Sequence, residues 1–242
     1  MKQIVATLSL LFLGNIAFSQ APGYDDLKIL YADANYEKLV KNAESYTMKE
    51  ELKKDPIPQI YLAKGLYKIS LSGTADEKFK NAYKDAIGAL SKAMKIAKDS
   101  IELLGDHMEF INQFQGSMVE MISNDLAAKD YNKASGWALK YYKITANPIG
   151  AKYLDGATKY RKADKGGANV LWKEAETMLK GISSLDEWTE ADKNLLKIGV
   201  METAECYVAG KQVEKAKEAM NKVAQWFEND TEFKEKYDSL VN

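Results

Sequence analysis

The sequence predicts an all-α protein, and three observations support this fold class. The chain of 242 residues has only four prolines, and all of them lie near the edges of periodic segments: Pro22, Pro56, Pro58 and Pro148. Between the prolines, apolar residues recur at intervals of three and four, as in Leu39, Ala43 and Tyr46, which is the spacing of one helix face. Apolar and polar residues do not alternate over any stretch long enough to indicate a β-sheet.

The N-terminal segment has the features of a secretory signal peptide. An apolar run, 4–13, follows a basic residue, and the small residue Ser19 precedes Gln20. Because the run is shorter than the roughly 20 residues of a membrane span, cleavage after Ser19 is favoured over an uncleaved anchor. The sequence therefore predicts a signal peptide, 1–19, and one mature domain, 20–242. We expect this domain to be periplasmic or secreted, without stable membrane insertion and without a lipid anchor, since no cysteine lies near the cut.

Helix starts are predicted where Ser, Thr, Asp or Asn is followed three residues later by Glu, the pattern called the capping box. Four pairs of residues fit: Thr74 and Glu77, Asp99 and Glu102, Ser184 and Glu187, Asn229 and Glu232. Asn147 followed by Pro148 predicts another start, with proline at the first helical position. The stretch "KADKGGAN", 162–169, predicts an extended turn between two helices.

One pattern of four residues recurs five times and predicts a repeat array. An aromatic or branched residue is followed by small or aliphatic residues three and seven positions later and by a fourth apolar residue ten positions later. The copies begin at Tyr36, Tyr83, Tyr131, Trp172 and Val213, a spacing of about 40 to 48 residues that is typical of helix-pair repeats. A further helical segment precedes each copy, so each unit is a helix–turn–helix. Such helices bury their apolar stripes by stacking on neighbours.

These units resemble the tetratricopeptide-repeat (TPR) family. In the fifth unit, the first-helix places where the family favours Trp, Leu, Gly and Tyr are occupied by Val200, Thr203, Ala204 and Tyr207. The small and large apolar places of its second helix fall on Ala216 and Met220. The resemblance implies an α-solenoid of about five helix–turn–helix units, closed by a C-terminal capping helix.

The third unit supports the resemblance in its second helix and departs from it in its first. Ala134 and Ala138 take the small places, and Pro148 falls near the family's closing proline. The small place of the first helix, however, falls on the bulky Ile122. The units are also longer than the family's usual repeat. An irregular all-helical bundle with the same periodicity is therefore the alternative fold.

The resemblance implies that the protein binds another protein or a peptide on a concave face built from first helices. It would then be a non-catalytic scaffold or adaptor of the cell envelope. By the family pattern, the groove residues would be Val119, Ser123 and Leu126 in the third unit and Met201, Glu205 and Val208 in the fifth.

The charged residues do not indicate a nucleic-acid partner. The formal net charge of the full chain is −1, and acidic and basic residues are interspersed. Arg161 is the only arginine, whereas recognition of phosphate or guanine relies on the planar guanidinium group. No nucleic-acid partner is therefore expected, and the sequence does not indicate an oligomeric state.

The residues that most often carry chemistry occur singly. His107 is the only histidine, and at helical spacing it shares a face with Leu103 and Ile111, so a half-buried structural role is expected. Cys206 is the only cysteine; it cannot form an intramolecular disulfide, and its apolar surroundings predict a buried, inert thiol. We expect no catalytic residues, no metal site and no cofactor.

Two other functions remain alternatives. Six aromatic residues could form a carbohydrate platform of a glycan-handling accessory protein, although at helical spacing they are more typical of a core: Tyr141, Tyr142, Trp137, Trp172, Trp188 and Trp226. An all-helical hydrolase would need two carboxylates about 5 to 10 Å apart in a cleft, and the spacing of the acidic residues does not point to such a pair.

The signal-peptide interpretation predicts the N-terminus of the mature protein. Mass spectrometry of protein from the native host should find a chain that begins at Gln20, either free or cyclised to pyroglutamate. Recovery of the intact chain beginning at Met1 would show that the segment is not cleaved.

Overall fold

The computed structural model describes residues 23–73 and 76–241, and all the regular structure within these ranges is helical. This confirms the all-α fold class. The predicted signal peptide, 1–19, lies outside the described residues.

The α-helices follow one another as five pairs and one final helix within the described ranges. The first helices are α1 (Asp25–Ala32), α3 (Ile57–Leu71), α5 (Met108–Ala127), α7 (Ile149–Arg161) and α9 (Glu190–Ala209). The second helices are α2 (Tyr36–Thr47), α4 (Ala82–Ile96), α6 (Tyr131–Tyr141), α8 (Lys165–Leu179) and α10 (Val213–Asn221). The final helix is α11 (Thr231–Val241), and 3-10 turns occur at Glu50–Leu52, Glu77–Phe79, Ile101–His107 and Ala224–Trp226.

The predicted apolar stripe lies on the second helix of every pair. Its two middle positions are buried in all five: Leu39 and Ala43, Ala86 and Leu90, Ala134 and Ala138, Ala175 and Leu179, Ala216 and Met220. One residue at an end of the pattern is exposed: Val213, the first residue of the fifth copy, is 40% exposed. The stripe therefore turns each second helix toward the core, as the periodicity predicts.

The turn that follows each first helix has the same backbone geometry. Two residues past the last helical residue, the chain enters the left-handed region at Ala34, Gly73, Lys129, Ala163 and Lys211, with φ between 54° and 66°. In four of these turns the next residue donates its N–H to the carbonyl five residues earlier: Asn35 to Leu30, Asp130 to Asp125, Asp164 to Lys159 and Gln212 to Tyr207. This is the Schellman arrangement, which satisfies carbonyls at the helix end.

The core consists of three apolar clusters. The largest joins residues of α2 to α7 and of α9, and the ring centroids of Tyr67 on α3 and Phe114 on α5 lie 4.8 Å apart within it. The second joins α7 to α11 around Trp172, whose ring centroid is 4.7 Å from that of Tyr207. A smaller cluster around Leu27 fills the space between α1, α2 and α3.

Helices α7 and α9 cross at two glycines. A Cβ atom built on Gly150 would collide with the backbone of Leu195 and Leu196. One built on Gly199 would collide with the carbonyl oxygen of Gly150 and would lie 2.9 Å from the Cβ of Tyr153. The two backbones are therefore in direct contact, and only glycine at both positions allows this distance.

A third glycine lets α8 pack on another side of α7. A Cβ atom on Gly156 would overlap the indole of Trp172, which lies in the space that the glycine leaves. The Nε1–H group of Trp172 donates to the carbonyl oxygen of Tyr153 at 3.1 Å, so its polar atom is satisfied although the residue is 2% exposed. Helix α7 is thus enclosed by α6, α8 and α9.

Most of the predicted helix starts were wrong in position. The Oγ of Ser184 accepts from the N–H of Asp186 within its own turn, and α9 begins at Glu190, capped by the Oγ1 of Thr189. Asp230, not Asn229, caps α11 by accepting from the N–H of Phe233.

The remaining starts differ in smaller ways. The pair Asp99 and Glu102 precedes 3-10 turns rather than an α-helix, and their N-cap residue is Ser100. Thr74 lies outside the described residues, while Glu77 begins a 3-10 turn and α4 begins at Ala82. Helix α7 begins one residue after Pro148.

The stretch 162–169 is not an extended turn. Helix α7 ends at Arg161 and α8 begins at Lys165, so the glycines of "KADKGGAN" belong to the first turn of α8. The carboxylate of Asp164 accepts from the N–H of Gly167 at 2.8 Å and caps this helix. The longer connection lies instead in the second pair, between Leu71 and Ala82.

The α7–α9 crossing predicts opposite effects for two glycine-to-alanine substitutions. Gly199→Ala should lower the free energy of unfolding by about 1 to 3 kcal/mol, because backbone atoms cannot move aside for the added methyl group. Gly88→Ala, in the exposed part of α4 where a Cβ would meet no atom within 4 Å, should raise it by up to about 1 kcal/mol. Urea unfolding of both variants measures the difference, and equal effects would contradict a tight crossing.

Candidate functional site

A groove runs between α5 and α9, and its volume is about 590 Å³. Its apolar lining comes from Val119 on α5 and from Ala191 and Ile198 on α9. Polar and charged side chains surround these residues: Asn112, Gln113, Glu120, Ser123, Glu190, Asn194, Lys197 and Glu232. An apolar floor with a polar rim is the composition expected of a surface that binds a peptide.

Two amide side chains of α5 fix the groove's width by bonding to the start of α9. The Oδ1 of Asn112 accepts from the N–H of Ala191 at 3.2 Å. The Oε1 of Gln115 accepts from the Oγ1–H of Thr189 at 2.8 Å, while its Nε2 donates to the carbonyl oxygen of Ile144 at 2.6 Å. Gln115 is 1% exposed, so these bonds hold α5 and α9 together in a place that water does not reach.

Carboxylates outnumber cations along the groove. Lys197 forms ion pairs of 2.9 Å with both Asp230 and Glu232, so its charge is already neutralised. Glu190 pairs with Lys193 at 2.8 Å. Glu120 is exposed and has no ion-pair partner among the described residues. The groove therefore presents free negative charge beside an apolar floor.

The structure brings two of the six predicted groove residues into this groove. Val119, which is 7% exposed, and Ser123 both line it. Leu126 lies one turn further along α5, is partly buried, and packs against the largest apolar cluster.

The three residues predicted on α9 lie further toward its C-terminus and do not line the groove. Met201 is partly buried and packs against the second apolar cluster, while Val208 is 40% exposed. Glu205 accepts from Arg161 at 3.1 Å and from Lys236 at 2.6 Å, which ties α9 to α7 and α11. The sequence signal that could have pointed to this groove is the run of polar residues at the start of α9.

The only arginine is part of a structural network. Arg161 forms ion pairs with both Glu202 and Glu205, and its guanidinium carbon lies 4.5 Å from the ring centroid of Tyr131. Its side chain is 17% exposed. The planar guanidinium group therefore joins α7 to α9 and stacks on Tyr131 of α6.

A second concave region lies where α1, α3 and the 3-10 turns meet. It is a cleft of about 760 Å³, and its lining includes two buried basic residues, Lys64 and His107. The Nζ of Lys64 lies 3.0 Å from the Nδ1 of His107. The ring of Tyr61 meets the imidazole edge-on, with centroids 5.5 Å apart.

His107 is more buried than the sequence predicts, with 8% of its surface exposed. It does not share a helical face with Leu103, because 3-10 turns rather than α-helix precede α5, and Leu103 is 53% exposed. Burial, the nearby Lys64 ammonium and, more weakly, Lys28 lower the pKa of His107 to about 4, against an opposing effect of Asp106. The imidazole is therefore neutral at pH 7.

The other singled-out residues lie in the core. Cys206 is 2% exposed, and burial raises the pKa of its thiol to about 11, as expected for an inert cysteine. Trp172 and Trp188 are buried, and Trp137 and Trp226 are partly buried. In the described part of the chain no group of three or more His, Cys, Asp or Glu side chains is placed to hold a metal ion.

Sequence reasoning missed a buried carboxylate that joins three segments. Asp192, 2% exposed, accepts from the hydroxyl of Tyr141 at 2.8 Å, from Thr145 at 2.6 Å and from the amide of Asn147 at 3.4 Å. Burial raises the pKa of Asp192, and these donors oppose the shift. The partners lie 45 to 51 residues away in sequence, so no local sequence pattern predicts these hydrogen bonds.

In the described residues the protein is all-helical, and its helices follow one another in pairs. No family model, no curated protein and no solved structure matches this chain. Across the described residues, none of the helices is both long enough and apolar enough to span a bilayer.

The lowered pKa of His107 predicts a loss of stability in mild acid. The unfolded chain binds a proton near pH 6.5, whereas the native imidazole binds one only near pH 4, so the free energy of unfolding should fall as the pH drops between these values. The decrease due to His107 should be about 3 kcal/mol. His107→Gln should lack this part of the pH dependence, measured by urea unfolding at pH 7 and pH 4. An imidazole that titrates near pH 6.5 by NMR would contradict the prediction.

Proposed function

We propose that this chain is an exported, non-catalytic scaffold with a TPR-like helix array, and that it binds a protein or peptide segment in the groove between α5 and α9. The observation that carries the proposal is the groove itself. It combines an apolar floor, Val119 and Ile198, with Glu120, a carboxylate that has no ion-pair partner among the described residues, on two helices that side-chain hydrogen bonds join.

The recurrence of one turn supports a repeat array over an irregular bundle. All five first helices end with a residue in the left-handed region at the same offset, and all five second helices bury the same two stripe positions. Helices α7 and α9, the first helices of the fourth and fifth units, also contact each other directly, as first helices of neighbouring units do in such arrays.

The chemistry of the groove favours one kind of partner segment. Its amide and hydroxyl groups, on Asn194, Gln113 and Ser123, can donate to or accept from an extended backbone. The free charge of Glu120 favours a Lys or Arg side chain, and the floor at Val119 and Ile198 favours an apolar residue beside it. We therefore expect a partner segment with a basic residue next to an aliphatic or aromatic one.

Charge reversal in the groove tests this function. Glu120→Arg should reduce binding of a Lys-containing partner segment by about tenfold or more, because it replaces an attraction with a repulsion. Segments are found by photo-crosslinking from Ser123 and Asn194 in the exported fraction of the native host, and their affinities are then measured with synthetic peptides.

The matched control is Glu37→Arg on α2, an exposed glutamate with no ion-pair partner among the described residues. This variant should bind like the wild type, and both variants should keep the wild-type helical content. If Glu37→Arg weakened binding as much as Glu120→Arg, or if crosslinks from α2 captured the same peptides, the α5–α9 groove would not be the binding site.

A further inference from the structure

The cleft at the N-terminal end of the array contains a lysine in an unusual setting. Lys64 is on α3 and only 9% exposed. Its Nζ lies 5.1 to 5.6 Å from the ring centroids of Tyr31, Tyr61 and Phe110. Three aromatic rings thus surround the ammonium, which is a setting that stabilises a cation in part.

No carboxylate neutralises this ammonium at short range. Among the described residues none lies within ion-pair distance of the Lys64 Nζ, and the nearby Glu109 acts on it only from further away. Its hydrogen-bond partner is the Nδ1 of His107. Because an ammonium has three N–H donors, two donors have no acceptor within the described residues. A buried cation with unused donors is costly unless an anion binds to it.

The acidic side chains that line the same cleft do not serve this purpose. Asp55 accepts from the hydroxyl of Tyr24 at 2.6 Å and from the N–H of Ile57 at 2.9 Å, so it is already bonded. Glu51 and Asp106 are exposed at the rim. The free donors of Lys64 are therefore left for a ligand.

The other residues that line the cleft indicate the chemistry of the uncharged part of the ligand. Leu52, Ile57 and Leu103 contribute apolar surface, and Leu103 is 53% exposed. A volume of about 760 Å³ is in the range of small-molecule sites. We propose that this cleft binds a carboxylate attached to an apolar body, with the carboxylate on Lys64 and the body against Leu52 and Leu103. The site is separate from the α5–α9 groove and does not depend on its function.

Two sources could supply this chemistry, a free aliphatic acid or the C-terminal carboxylate of a peptide. The probes are hexanoate with hexanamide as its neutral match, and acetyl-Ala-Leu with a free acid or an amide end. All are titrated into the mature chain at pH 7. The stronger of the two acids identifies the source, and binding of either acid in preference to its amide supports the site.

The readout is specific because the chain has a single histidine. An acid that binds at Lys64 should shift the one set of imidazole NMR signals, from His107, in the wild-type protein. Lys64→Met should weaken binding by about tenfold or more while leaving thermal stability equal or higher, since it removes a buried charge. Lys54→Met, at an exposed lysine of the same cleft, should change the affinity by less than about twofold.

Three results would overturn the inference. The first is that neither acid shows saturable binding or moves the His107 signals. The second is that hexanamide and the peptide amide bind as tightly as the acids. The third is that Lys54→Met and Lys64→Met weaken binding equally. The NMR titration of the wild-type protein supports or overturns the site even if Lys64→Met fails to fold.

Discussion

The contact between the backbones of α7 and α9 at Gly150 and Gly199 constrains the whole C-terminal half. It fixes α7 deeply enough to be covered by α6 and α8, and it sets where α9 begins relative to α5. The position of α9 in turn places Asp192 under the hydroxyl of Tyr141 and sets the width of the α5–α9 groove. A larger side chain at either glycine would affect all of these contacts together, because a close-packed interior transmits strain.

Local patterns were sufficient to predict the helices and much of their burial. Positions such as Ala86 and Leu90 repeat at the helix period, and a stripe of that kind is buried whatever it packs against. Helix starts were harder to predict, because any nearby Ser, Thr or Asp can cap. Thr189 rather than Ser184 caps α9, because its carbonyl and hydroxyl oxygens accept from the first N–H groups of that helix. Which of the two residues does so depends on where the helix begins in the folded chain.

The sites were only partly predictable, because their residues come from distant segments. Two of the residues that the family pattern predicts for a partner groove, Val119 and Ser123, line the α5–α9 groove. The pattern also predicts Glu205, which forms an ion pair with Lys236 of α11 and does not line this groove, and the pattern does not show which residues of the final helix contact α9. The contact between Lys64 and His107 spans 43 residues and follows from the packing of α3 against the 3-10 turns. A single histidine in a sequence gives no sign of such a partner.

The repeated turn shows that this sequence is not the most stable one for its fold. Four of the five left-handed positions are occupied by alanine or lysine, at Ala34, Lys129, Ala163 and Lys211, where a Cβ atom is strained. Glycine would relieve each by roughly 0.5 to 1 kcal/mol after its own entropic cost. The four turns belong to different helix pairs, so the increases in the free energy of unfolding should add. The chain thus retains a reserve of thermostability that an engineer, or natural selection in a warmer habitat, could use without altering either of the proposed binding sites.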